Sequence, residues 1–173
     1  GHHYIIGEDT RLDMAKNTNF LLSNWTLKSS RVNQTLHAMG RSINQSVYVQ
    51  DQVSLTERAS VVAGIRYDFW KGYDGQSNTF TAASPLTLYP DHSTGKVTGK
   101  IALSYSLPGD WNVRVSAGTA FRNPNVFDLY GTSLLSGGVI TQGNPNLTPE
   151  TDTSWEVGLR KRFSKGTDFD AAY

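Results

Sequence analysis

The residues to test first for chemistry are the four histidines, His2, His3, His37 and His92, since imidazole is the commonest metal ligand and a ready general base. His2 and His3 are neighbours and on a strand point to opposite faces, while His37 and His92 fall in separate long connections. That spacing assembles no metal centre, and no metal is expected. Ser, His and Asp are plentiful, yet none stands in a nucleophile elbow or in any spacing that would seat a base on a nucleophile. No catalytic residue is assigned and no enzyme is expected. The glycines of "YGTSLLSGG", Tyr130 to Gly138, lack both the spacing of a phosphate loop and the helix that follows one, so no cofactor is implied. What remains is the chemistry of binding. Arg66, Arg114, Glu156 and Arg160 each lie on the polar side of a segment whose other side is apolar.

Those segments are strands. Period-2 alternation predicts strands over 2–11, 43–55, 58–70, 97–107, 111–121 and 152–163, with a seventh begun at 168–173. Short connections at 56–57, 108–110 and 164–167 read as hairpin turns. Long ones at 12–42, 71–96 and 122–151 exceed what compact domains use. Short and long alternate without exception, which places all turns at one end of a meander and all long loops at the other. That is the wiring of an outer-membrane barrel, and a soluble sandwich has no reason to keep it.

The faces agree. In 97–107, Val97, Ile101, Leu103, Tyr105 and Leu107 oppose Thr98, Lys100, Ala102, Ser104 and Ser106. In 111–121, Trp111, Val113, Val115, Ala117 and Phe121 oppose Asn112, Arg114, Ser116, Gly118 and Ala120. Alternation alone fits a sandwich as well as a barrel. Length separates them, because these strands are about twice the usual five or six residues and match the roughly 9–11 that a tilted strand needs to cross a bilayer. Tyr67, Phe69, Trp70, Tyr105, Trp111, Phe121, Trp155 and Phe163 lie near strand ends, where interfacial aromatic girdles form. Asp51 is the poorest fit, a carboxylate on the apolar face of its strand.

Composition removes other classes. Lys plus Arg total 16 against 15 Asp plus Glu, a net charge of +1, with no basic stripe for a phosphate backbone, so no nucleic acid partner is expected. The chain has no cysteine, which excludes disulfides and thiolate metal sites. No apolar run approaches the roughly 20 residues of a membrane helix, a test to which barrel strands are invisible.

Two longer stretches carry a resemblance. "AFRNPNVFDLYG", Ala120 to Gly131, and "GNPNLTPETDTSWEVGL", Gly143 to Leu159, closely resemble a segment of the TonB-dependent receptors of Gram-negative outer membranes. There a strand ends in Phe-Arg-x-Pro, a loop follows, and Gly-Asn-Pro-x-Leu-x-Pro-Glu-Thr leads into a strand carrying Glu-x-Gly-Leu. "SVYVQDQVSLTERASVVAGIRYDFW", Ser46 to Trp70, is similar to the family's recurrent hairpin, and "HHYIIGED", His2 to Asp9, to another of its strands. The resemblance implies an all-β, antiparallel up-and-down transmembrane barrel of about 22 strands closed by a plug. Residues 1–173 would be an internal piece of about seven strands, lacking the plug and the remaining strands, with its long loops extracellular.

It further implies active import of a scarce ligand such as an iron–siderophore complex, in contact with outer-membrane lipid and powered by the TonB complex through the missing plug. Because such ligands are often anionic or aromatic-rich, Arg122, Phe127, Tyr130, Trp70 and Tyr73 at the lumen mouth are the expected ligand contacts. Arg66, Arg114, Glu156 and Arg160 on the lumen face are expected to meet the plug, the ligand or one another. A passive porin-like barrel and a soluble β-rich binding module are the alternatives.

Overall fold

Buried or lipid-facing backbone must hydrogen-bond to itself, and a chain without long helices can do so only by pairing its strands. A computed structural model describes residues 1–79, 86–134, 139–163 and 166–173. In chain order the elements are β1 (His2–Leu22), β2 (Arg31–Ser54), β3 (Ala59–Thr79), β4 (Thr87–Leu88), β5 (His92–Leu107), β6 (Trp111–Arg122), α1 (Val126–Tyr130), β7 (Thr132–Leu134), β8 (Ile140–Gln142), β9 (Glu150–Arg162) and β10 (Asp168–Ala172). Seven of them form one antiparallel half-barrel in the order β1-β2-β3-β5-β6-β9-β10; β4 adds to β3, and β7 and β8 make a separate two-stranded hairpin. The expected all-β meander, with each strand beside its predecessor and its successor, is the fold of this chain.

The strands are longer than the alternation suggests. β1 runs on to Leu22 and β2 begins at Arg31, so most of 12–42, expected as loop, is a paired ribbon whose tip is only 23–30. β3 likewise continues to Thr79 and β5 starts at His92, converting much of 71–96 to sheet. His37 and His92 therefore stand on strands, His37 Nδ1 beside Thr18 Oγ1 at 3.3 Å and His92 edge-on to Trp70. The physical reason is that a period-2 signal needs one apolar face. Above the wall the ribbon carries Lys16, Asn17, Thr18 and Asn19 opposite Met39, Ala38, His37 and Leu36, and the ladder holds through backbone bonds that leave no mark on hydropathy. The turns at 55–58 and 108–110 close the other end as expected, the latter with Gly109 and Asp110 at φ +75° and +61° and the Lys161 ammonium donating to the Gly109 carbonyl. The expected turn at 164–167 and the glycines at the end of "YGTSLLSGG" lie partly outside the described residues.

Within the wall the faces sort as the sequence demands. Val47, Ile65, Tyr67, Val97, Ile101, Leu103, Val115 and Trp155 stand exposed on the convex side. Ser42, Ser46, Asp68 and Trp70 turn to the concave side and are buried. Trp70, expected among girdle aromatics, is thus an inner residue. Asp51 on the convex side is held by His2, Nδ1 to Oδ2 at 2.7 Å, with the His2 ring stacked on Tyr4. That pairing near the short-turn end is how a carboxylate is tolerated on an apolar face.

One irregularity reshapes the upper sheet. Between the pairs Met39↔Gln76 and Arg41↔Tyr73 the register shifts, so Asp74 and Gly75 on β3 oppose Gly40 alone, a β-bulge. Asp74 takes φ +54°, a region Asp tolerates better than most residues, and it is ion-paired to Arg41 at 3.3 Å. Past the bulge the inward positions of β3 switch from even (Asp68, Trp70, Gly72) to odd (Gly75, Ser77).

Candidate ligand-capture site

After β6 the motif Phe121-Arg122-Asn123-Pro124-Asn125 leaves the sheet. Pro124 cannot pair in a ladder, and Asn125 caps the helix that follows, its Oδ1 accepting from the Asp128 backbone N–H at 2.8 Å and its Nδ2 donating to Asp128 Oδ2 at 2.5 Å. The resulting single turn, α1, was not foreseen within the loop expected at 122–151. A five-residue helix does not stand alone. It is held by burial: Val126, Leu129 and Tyr130 pack with Trp70 in the described hydrophobic cluster, with Ala15, Tyr89 and Leu147 around it.

Tyr130 has the tightest seat. A Cβ on Gly40 or Gly75 would overlap its ring, and one on Gly72 would come within 3.1 Å of its hydroxyl. Three glycines on β2 and β3, two of them at the bulge, thus form a socket for one aromatic ring. Tyr89 stacks against the ring at 5.6 Å between centroids. Burial pushes the Tyr130 phenol above its ordinary pKa, so the side chain stays neutral in this seat.

The second motif closes over the first. Gly143 N–H donates to the Gly131 carbonyl at 2.6 Å and Asn144 N–H to the Asp128 carbonyl at 2.9 Å, while a Cβ at Gly143 would lie 2.7 Å from the Asp128 carbonyl oxygen. Gln142 Nε2 reaches Tyr89 OH at 2.5 Å, and Tyr89 OH lies 2.8 Å from Ser77 Oγ. Asn144 Oδ1 accepts from the Asn146 N–H at 3.0 Å, an Asx turn that aims Leu147 into the cluster. "FRNPNVFDLYG" and "GNPNLTPE" are therefore two halves of one folded segment on the inner wall.

A polar relay fastens it to the sheet. Asn123 Nδ2 donates to Asn44 Oδ1 at 3.0 Å, and Asn44 Nδ2 to Asp68 Oδ1 at 3.1 Å. Arg66 grips Asp68 with two bonds, Nε to Oδ2 at 2.8 Å and Nη2 to Oδ1 at 3.0 Å, and reaches Asp9 at 3.6 Å. The Asp68 side chain is 2% exposed, a buried charge that such a bidentate partner makes tolerable. Above this relay lies a cleft of about 670 Å³ lined by Asp9, Arg11, Asp13, Arg66, Arg122 and Phe127 among others. Its size is that of a small-molecule site.

The residues singled out from the sequence divide accordingly. Arg122 and Phe127 border the cleft, Phe127 half-exposed and Arg122 ion-paired to Glu150 at 3.0 Å. Trp70 also borders it but is mostly buried beneath α1, and Tyr130 is buried in its socket. Tyr73 precedes the bulge on the convex face, its ring beside the Lys71 ammonium. Of the lumen-face charges, Arg66 belongs to the relay, Arg114 pairs with Glu156 at 2.5 Å and Arg160 with Asp170 at 3.1 Å. Sequence reasoning missed Asn44, Asn123, Asp68 and the socket glycines. Glycines inside strands at 40, 72 and 75 were the available signal of a close approach.

Residues 6–173 match the family model described as TonB dependent receptor-like, beta-barrel. Over 130 residues the chain is 32% identical to the hemin receptor of Yersinia pestis, an alignment covering 69% of this chain and 17% of that protein. Over 109 residues it is 35% identical to the vitamin B12 transporter BtuB of Vibrio vulnificus (strain YJ016), covering 62% and 15%. The chain thus spans less than a fifth of the curated relatives it matches. Among solved structures, the copper transporter OprC superposes with a TM-score of 0.68 at 13% identity, covering 95% of this chain and 26% of that one. The ferric-catecholate import receptor Fiu from K12 E. coli does so at 0.65 and 16%, covering 99% and 28%. With the motif pair folded as one unit and the family model matched over nearly every residue, the chain belongs to the TonB-dependent receptor β-barrel family.

Proposed function

We propose that this chain is part of the barrel wall of an outer-membrane receptor in a Gram-negative bacterium that captures a scarce ligand, such as a ferric siderophore or heme, and imports it with energy delivered through TonB. The observation that carries the reading is the cleft between the folded motif segment and the inner wall. Arg11, Arg66 and Arg122 line the cleft, each paired to a carboxylate of Asp13, Asp68 or Glu150, and Phe127 offers an exposed ring. This mixed charged and aromatic lining suits a polar chelate with flat aromatic parts that exchanges ion pairs with it. In this reading the ribbon tips stand outside the cell, a plug contributed by another part of the protein meets the lumen face, and Arg122 and Phe127 contact ligand. A passive porin is disfavoured because a segment with its own buried cluster occupies the lumen wall, and a soluble module because Val47, Ile65, Val97, Ile101 and Trp155 stand exposed together on the convex face.

The test is growth of a strain deleted for the full-length gene, under iron limitation, with hemin, a ferric catecholate or a ferric hydroxamate as sole iron source. Loss of growth on one chelate, restored by the gene only when TonB is present, is the expected result. Uptake that persists without TonB would instead identify a passive channel.

A further inference from the structure

We propose that Tyr130 is a positioning residue, a latch whose ring in the Gly40–Gly72–Gly75 socket seats the whole motif segment, and with it Arg122 and Phe127, over the cleft. The inference rests on the proposed capture function only for what the latch serves, since seating itself is measurable without any ligand.

Three observations support it. The segment has little regular structure of its own, a single helical turn, so its placement depends on what it plugs into. The plug is one ring, and the socket is made of the residue type with no side chain at three positions drawn from two strands. The sheet departs from ideal pairing at that place, with the bulge turning Gly75 inward beneath the ring. A flat aromatic wall would have needed none of these features. The relay from Asn123 through Asn44 to Asp68 then fixes the near end of the segment, whereas Tyr130 fixes the far end. The segment is thereby a bridge pinned at two points, with Phe127 standing exposed between them.

The experiment exploits Thr132, which follows the latch, is 2% exposed and has no hydrogen-bond partner for its hydroxyl among the described residues. Thr132→Cys is nearly isosteric and removes no bond. In the full-length receptor, freed of any other cysteine and purified in detergent, the rate at which a polar maleimide labels this position reports unseating. The unmodified latch and Tyr130→Phe, which keeps the ring, are expected to protect it. Gly75→Ala, Gly40→Ala and Tyr130→Ala are each expected to raise the rate by roughly tenfold or more. The double variant Gly75→Ala/Tyr130→Ala should label no faster than Tyr130→Ala alone, because the added methyl then meets an empty socket. Heat-modified gel mobility confirms that each barrel is folded, and Gly40→Ala serves should Gly75→Ala disturb the bulge. Continued protection in both glycine variants, or additive effects in the double variant, would overturn the latch. Failure of chelate-dependent growth would overturn the import reading and leave the labelling result standing.

Discussion

Arginine placed on the two faces of β6 should separate the lipid wall from the lumen. Val115 stands on the convex face between Leu103 on β5 and Val157 on β9, and is 42% exposed. Ser116, the next residue, turns to the concave face directly opposite Glu156. In a bilayer, Val115→Arg sets a guanidinium among acyl chains, at a cost of about 2–4 kcal/mol near the midplane and about 0–1 at the interface. Val115 is the fifth residue of a twelve-residue strand, which places it in the inner part of that range. At one factor of ten per 1.4 kcal/mol, this is roughly a 30- to 700-fold loss in the folding equilibrium. Ser116→Arg instead stays hydrated and shares Glu156 with Arg114, the attraction to the carboxylate offsetting the repulsion between the two guanidinium groups, a change of at most about 0.5 kcal/mol in either direction. Urea titration of the full-length protein refolding into lipid vesicles measures both. Equal losses, or a larger loss for Ser116→Arg, would show that the faces are assigned the wrong way round and would remove the bilayer from the account.

Lys28→Cys at the β1–β2 tip should react with an impermeant thiol reagent on intact cells, while Glu57→Cys in the opposite turn should react only after the outer membrane is opened. Arg66→Ala should destabilise by about 3 kcal/mol, because Asp68 is left charged and buried, and Arg66→Ala with Asp68→Asn should recover much of that in the same refolding titration. Gly143→Ala should expose the motif segment to limited proteolysis while leaving the barrel resistant, since the obstructing atoms belong to backbone at Asp128 and Leu129. Residues 1–173 expressed alone should aggregate in detergent-free buffer, because the convex apolar face has nothing to cover it; a sharp-melting monomer on sedimentation would contradict the bilayer reading.

The sheet was legible where its two faces differ in chemistry. Val97 to Leu107 against Thr98 to Ser106 spelled out one strand, and the register places those same residues on opposite sides. Where both faces are polar, as from Lys16 to Asn19, only the backbone ladder records the strand, and the alternation stops too early. The site was legible by its motifs but not by its mechanics. Arg122 and Phe127 could be named because they lie inside a recognisable segment. Asn44 and Asp68 could not, because their meaning arises from Asn123, which reaches Asn44 across 79 positions of sequence and Asp68 only through it. Trp70 and Tyr130 were recognised as aromatics near the mouth, yet whether a ring faces ligand or fills a socket depends on glycines elsewhere in the chain. Tyr73 shows the limit most clearly, since it only continues the alternation of Tyr67 and Phe69 onto the convex face, and it reads as a mouth residue because the strand is expected to end at Trp70.

The bulge at Asp74 also gives β3 two phases of alternation, even-inward below and odd-inward above. Deleting Asp74 would restore a regular ladder in which Gly75 faces Gly40 and Gln76 faces Met39, so Gly75 and Ser77 would keep their inward faces and the lower wall would be untouched. A deletion within either regular stretch would instead turn the side chains beyond it over. Adding one elsewhere in the upper half would reset the phase a second time. The wall and the rim of this strand are therefore separately editable texts joined at a single punctuation mark. A one-residue change of length at Asp74 is thus absorbed as a bulge gained or lost, and neither the lower wall nor the upper rim changes the side to which its residues turn.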